Sequence, residues 1–290
     1  MKMKQMAVGV ALTMGVAGSY AAITTDYFGT GGNAFSINFV DIGGAGNAAD
    51  SLTGSGAVDY AYRIGQTEIT SAQFAAAYAQ DSNIGSGSED HFPGDTPVVY
   101  VSGYEAMKFA NYLTTENAYK GAYLFDDEGM YLGIDRDAAV DAYGIVYVVP
   151  SADEWYKAAY YKPINDGTYS LYANGGSDTN NPPEAGWSSG WNYGGNGHVH
   201  SPGSGAIEQN GTYDMMGNVW EWDEAFGHRG GSLASSEVDL RSTMSVRTLD
   251  PESEYDTLGL RVAAIPEPVS MVLIGLFGGG ILFVRRIFMK

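Results

Sequence analysis

Hydrophobic and polar positions alternate with a period of two over Val58, Tyr60, Tyr62 and Ile64. That spacing sets four large side chains on one face of a strand and predicts that the main core begins there. A shorter alternation at Phe35, Ile37 and Phe39 predicts a strand inside a Gly-, Ala- and Asn-rich lead-in over 23–57. Three helices are announced by one device, a Ser or Thr that caps the first turn and a Glu or Gln three residues on that bonds back. The pairs are Thr70 with Gln73, Ser102 with Glu105, and Ser151 with Glu154. Beyond Ser102, Ala106, Phe109, Ala110 and Leu113 recur at helical spacing and predict one buried face. The helix after Ser151 turns Trp155, Ala158 and Ala159 inward and has to stop by Pro163, whose ring cannot continue it. From Pro163 to Gly211 the chain is dominated by Gly, Asn, Ser, Asp and Pro. A loop region of that length inside a compact domain calls for an ion or a ligand to hold it.

The two ends read as addresses. A basic start with Lys2 and Lys4, an uncharged apolar run from Met6 to Ala17, and the small residues of Ser19-Tyr20-Ala21 predict a signal peptide over 1–22, cut near Ala21 or Ala22. The competing reading, a buried N-terminal helix, is weakened by Gly9, Gly15 and Gly18. At the other end Pro266-Glu267-Pro268 precedes the uncharged run Val269 to Val284, closed by Arg285-Arg286. That run is near the short limit of a transmembrane helix, about 17 to 25 residues, and arginines that follow it favour a cytoplasmic tail. The body between would then face out of the cytoplasm, held at the inner membrane.

Composition narrows the chemistry. With 290 residues the chain allows one large domain, and 34 acidic against 15 basic residues give a net charge of −19. Such a field repels phosphate backbones and argues against nucleic-acid partners. The chain has no cysteine, so disulfides, thiolate nucleophiles and cysteine metal sites are all excluded. Four histidines remain, His91, His198, His200 and His228. His198 and His200 would share a strand face and could hold a metal, although their Gly-rich surroundings fit exposed loop histidines better. Zinc-protease, serine-hydrolase elbow and phosphate-loop motifs are missing. Asp126, Asp127 and Glu128 read as an exposed acidic turn.

Two resemblances organise these observations. Residues 265–290, with their Pro-Glu-Pro, apolar helix and closing arginines, resemble the PEP-CTERM sorting signal of exopolysaccharide-producing Gram-negative bacteria. That likeness implies an exosortase-type processing partner and display at the surface or in the matrix; a permanent tail anchor is the alternative. Over 58–264 the landmarks are Tyr62-Arg63-Ile64-Gly65 followed by TEITSAQFAAAYA, PVVYVSGYEAMKFANYL, VPSADEWYKAAYY, TYDMMGNVWEW, Arg229-Gly230-Gly231-Ser232, and Gly259-Leu260-Arg261-Val262-Ala263. In this order they resemble the formylglycine-generating enzyme, or sulfatase-modifying-factor, family. Departures are Val149-Pro150-Ser151 for the usual Leu-Pro-Thr, and Leu260 for the usual Phe.

This second resemblance implies an α+β, variant C-type-lectin-like fold, low in regular structure and often holding calcium. It implies a calcium ligand set of Asp214, Gly217, Val219 and Glu221, and a second, weaker one near Asn192 and Tyr193. Alternatively Glu221 pairs with Arg229 or Arg247 and Asp214 caps a turn. Catalytic relatives oxidise a substrate cysteine with two copper-binding cysteines. Their positions fall at Ser235 and near Leu240, where a hydroxyl and an aliphatic group cannot replace soft thiolates. The expectation is therefore an exported, non-catalytic binding or structural module with no copper, taking an extracellular glycan or protein ligand. Arg241, Arg247 and Arg261 with Trp220 and Trp222 would be structural or line its groove. The alternative is a cysteine-independent oxidoreductase with histidine or carboxylate metal ligands.

Overall fold

The apolar alternation near the start of the chain folds into the strands it predicts, and into more of them. A computed structural model describes residues 22–86, 94–162, 167–177, 182–186, 189–195 and 197–265. In chain order the elements are β1 (Ile23–Phe28), β2 (Phe35–Ile42), β3 (Tyr62–Gly65), α1 (Ser71–Tyr78), α2 (Gly103–Thr115), β4 (Tyr123–Phe125), β5 (Tyr131–Ile134), α3 (Arg136–Tyr143), β6 (Val146–Val148), α4 (Ala152–Tyr160), β7 (Tyr161–Lys162), β8 (Thr168–Tyr169), β9 (Trp220–Trp222), β10 (His228–Arg229), β11 (Leu258–Gly259) and β12 (Ala263–Ile265). The main sheet runs β1-β2-β3-β12-β6 with every neighbour antiparallel. The late strand β12 sits in its middle, with Ala263 opposite both Ile64 and Val148. Its three residues and those of β6 are all buried, because helices and loops cover both faces there.

The lead-in is part of this core. Phe28, Ile37, Phe39, Val40 and Ile42 are buried in the same cluster as Tyr62 and Ile64. The strand at Tyr62 is shorter than the alternation suggests, since Val58 is buried outside it and Tyr60 is exposed. The Tyr60 hydroxyl instead turns to the Glu154 carboxylate at 2.6 Å and to Arg136.

All three capping boxes form. Gln73, Glu105 and Glu154 receive their caps through the Thr70, Ser102 and Ser151 hydroxyls, and each carboxylate or amide returns to the cap N–H at 2.6 to 2.9 Å. The stripe on α2 is fully internal and stacks Phe109 against Phe74, ring centroids 5.2 Å apart. A fourth helix, α3, starts at Asp135, whose Oδ1 accepts from Ala138 N at 2.9 Å. The acidic turn at Asp126 closes the β4–β5 hairpin, with Asp126 Oδ1 accepting from Glu128 N and Met130 N.

Beyond α4 the described chain holds little regular structure besides the β7–β8 pair, the small sheet β10-β9-β11 and β12. Rings replace ladders there: Tyr156, Tyr160, Tyr161 and Tyr169 pack with centroids 5.0 to 5.5 Å apart. The signal-peptide site at Ala21 and the sorting residues Pro266, Glu267, Pro268, Arg285 and Arg286 lie outside the described residues, as does His91. Ala22 is exposed, and its carbonyl accepts from Asp41 N. Among the described residues no helix is long and apolar enough to cross a membrane.

Candidate functional site

The segment from Thr212 to Trp222 reaches its path by backbone shapes that few residues adopt. Asp214 and Asn218 take left-handed φ of 61° and 59°, tolerated because short polar side chains can bond locally. Between them Gly217 presses on Asn192, so that an added Cβ would stand 2.3 Å from the Asn192 carbonyl oxygen. The Asn218 side chain then ties three loops together. Its Nδ2 donates to Glu68 Oε2 at 2.7 Å and to the His200 carbonyl, while its Oδ1 accepts from His200 N and Asn192 Nδ2.

A nest of buried acids surrounds one buried arginine. Glu221 accepts a bidentate fork from Arg261 Nε and Nη2 at 2.7 to 3.1 Å, and Oε2 also accepts from Trp155 Nε1 at 2.7 Å. Arg261 also donates to the Gly65 and Tyr213 carbonyls. Glu68 is fully buried and accepts from Val219 N. Burial, then the charges of Asp214 and Glu221, push its carboxyl well above the usual range, against the pull of Arg261 and Asn218. Glu208 accepts from Thr212 Oγ1 and Met215 N through Oε2, while its buried Oε1 has no partner among the described residues. Burial raises it to about 8. Asp214 accepts from Gly203 N at 2.7 Å and is raised to about 6, again by burial first.

These contacts bear directly on the calcium ligands that the family likeness implies. Both oxygens of Glu221 are spent on Arg261 and Trp155, neither on Arg229 nor on Arg247, so Glu221 as placed does not fit a calcium ligand. Asp214 keeps Oδ1 without a donor among the described residues. Asn192 is buried with Oδ1 unpartnered among the described residues, and the neighbouring Tyr193 hydroxyl donates to the Pro183 carbonyl. Among the described residues no three His, Asp or Glu side chains are grouped to hold a metal ion.

The family's thiol positions are packed. Ser235 Oγ accepts from Ser232 N at 2.9 Å and lies 3.4 Å from Ser232 Oγ. Leu240 is fully buried. Gly231, at φ 81°, marks where the two side chains converge, since a Cβ there would meet Leu240 Cδ2 at 2.6 Å and Ser235 Cβ at 3.4 Å. His198 is exposed and His200 half-buried in a loop, each tied through its backbone to Asn192 or Asn218, and neither stands on a strand. His228 is half-buried edge-on to Trp220 at 4.8 Å, with Nδ1 unpartnered among the described residues and its pKa lowered by burial. Trp222 belongs to the core and donates to the Val101 carbonyl.

A solvent-open cleft of about 370 Å³ lies between the loop at Leu52–Ser55, Tyr156 of α4 and the segment Ser242–Val246, with Arg229 in its wall. Among the described residues no Asp or Glu lines it. Arg229 is anchored by Asp223, whose Oδ2 accepts from Nε at 2.7 Å and whose Oδ1 accepts from Ala225 N and Gly227 N. The two Nη groups have no protein partner among the described residues. Glu68, Glu208 and the cleft escape sequence reasoning, because a buried acid and an exposed one read alike without their distant partners.

The Sulfatase-modifying factor enzyme 1-like domain family matches residues 55–265. No curated protein sequence matches the chain. Among solved structures, Treponema denticola variable protein 1 is similar at 20% identity and TM-score 0.56, covering 84% of this chain and 99% of that one. CarF is similar at 24% identity and TM-score 0.56, covering 78% and 97%. PvdO from Pseudomonas aeruginosa shares 16% identity at TM-score 0.51, covering 82% and 97%. At these identities the likeness speaks for the fold alone.

Proposed function

The chain belongs to the Sulfatase-modifying factor enzyme 1-like domain family, and from that membership we propose that it is an exported, non-catalytic binding module. The observation that carries the reading is the filled pair of positions at Ser235 and Leu240. A buried hydroxyl bonded to a backbone N–H and a buried isobutyl group offer Cu(I) no soft donor, and a chain without cysteine has no thiolate elsewhere. Export rests on the signal-like start, and surface sorting on the Pro-Glu-Pro tail with its exosortase-type partner and membrane helix.

Incubation of the purified body with a cysteine peptide under air tests the first part: no dioxygen uptake and no aldehyde are expected. Metal analysis adds a second arm, since stoichiometric copper or iron would favour the cysteine-independent oxidoreductase instead. For export, intact mass of the protein recovered from membrane and medium should show a front end cut near Ala21 or Ala22.

A further inference from the structure

We propose that the cleft walled by Arg229, Tyr156 and the Ser242–Val246 segment binds a sugar acid, a polyhydroxylated body bearing a single carboxylate. The inference deepens the binding-module reading and rests on it. Its first support is charge. In a chain of net charge −19 this hollow has no acidic lining and contains one guanidinium whose Nη groups are uncommitted. Asp223, itself locked by two backbone N–H groups, holds that guanidinium by Nε. The fork is therefore set before a ligand arrives, which reduces the ordering cost of binding.

The number of cations decides the kind of anion. A narrower recess behind the cleft adds Asp239 and Arg241, whose Nε and Nη2 go to the Tyr172 hydroxyl and to Glu237, leaving no free pair of Nη groups there. The two Nη groups of Arg229 match the two oxygens of one carboxylate, whereas a phosphate dianion would bring a second negative charge to a guanidinium already paired with Asp223.

The remainder of the wall suits a polyol. Ser55, Thr243 and Ser245 have no side-chain partner among the described residues. Hydroxyls both donate and accept, as sugar hydroxyls do. Tyr156 is fixed with its OH donating to Asp50 Oδ2 at 2.6 Å and accepting from Thr53 Oγ1 at 2.9 Å. Met244 and Val246, backed by the buried Tyr156 ring, supply an apolar wall for the C–H face of a pyranose. The cleft volume of about 370 Å³ is small for a ligand site and fits one or two sugar rings more readily than a peptide.

The test is calorimetric titration of the purified body with glucuronate, glucose and inorganic phosphate. Glucuronate should bind saturably, with glucose at least about tenfold weaker, the factor expected for losing a charge-assisted bond. Arg229→Gln should abolish binding, but it strands the buried Asp223 and is open to misfolding. Ser245→Glu, at an exposed position, keeps the melting temperature, removes one wall hydroxyl from both ligands and should weaken glucuronate about tenfold more than glucose. Equal binding of glucuronate and glucose, tighter binding of phosphate, an unaffected Ser245→Glu, or no binding at all would overturn the proposal. Aldehyde formation from a thiol peptide would overturn the binding-module reading, whereas a silent protein that ignores glucuronate loses the ligand class alone.

Discussion

Glu208 gives the most direct measurement of the buried acid nest. Burial lifts its carboxyl from an ordinary 4.5 to about 8, so between those values the folded protein holds a proton that the unfolded chain has released. Stability from this site is complete below pH 4.5 and is lost as pH rises through 8. The slope is about 1.4 kcal/mol per pH unit, or about 4 kcal/mol from pH 5 to pH 8 before neighbouring charges relax. Glu208→Gln removes that titration and leaves shape nearly intact, because an amide oxygen can still accept from Thr212 Oγ1 and Met215 N. Urea unfolding from pH 5 to pH 9 should show the two proteins within about 1 kcal/mol at the acid end. The variant should lead by about 2 to 4 kcal/mol near pH 8. Asp214, raised to about 6, bends both curves below that pH and cancels in the difference. Parallel curves over the whole range would refute the protonated Glu208.

Three further measurements probe the same interior. Arg261→Met leaves the buried Glu221 carboxylate without its fork and should cost about 3 to 5 kcal/mol in urea unfolding; a loss under about 1 kcal/mol would deny the pair its structural role. Ser235→Cys with Leu240→Cys restores two thiols at side chains that converge over Gly231, and should bind one Cu(I) in an anaerobic chelator competition despite a stability loss of about 2 to 5 kcal/mol from the shortened leucine. Copper binding no better than in the wild type would show that more than sulfur is missing. Excess calcium should raise the melting temperature of the wild type through the open Asn192 Oδ1 and fail to do so in Asn192→Leu; equal rises would place the ion elsewhere.

Local signals were the legible part of this sequence. A capping box is complete within four residues, so Thr70, Ser102 and Ser151 mark their helices without knowledge of the fold. The same logic with an aspartate cap and a closing Gly144 was available for α3 and needs only a wider view of capping. Sheet order was beyond reach. Nothing in Ala263-Ala264-Ile265 says that these residues part β3 from β6, because that choice is settled by packing between segments far apart in the chain, Ala263 with Ile64 and with Val148. The candidate site divides in the same way. Asp214, Gly217, Asn218 and Glu221 stand out as a motif, but the partner of Glu221 is 40 positions away at Arg261, past the nearer Arg229 and Arg247. Arg229 in turn is claimed by Asp223, six positions away across the β9–β10 hairpin.

The segment from His228 to Ser235 carries both Arg229 of the cleft and Ser235, which stands where the family likeness puts a thiol. Its path is dictated by Gly230 and Gly231, at φ 91° and 81°, the second leaving no space for a side chain against Leu240. The missing Cβ at Gly231 is what admits Leu240 and Ser235, whose isobutyl and hydroxyl groups offer no thiolate to a metal. Arg229, just before the glycines, is held separately by Asp223. Strand alternation sets its side chain on the face opposite His228, which packs on Trp220. Arg229 and the pair Ser235 and Leu240 are thus held by different contacts. Substitutions at Ser235 and Leu240 should leave glucuronate affinity untouched, and any change there would mean that the glycines transmit what this geometry says they insulate.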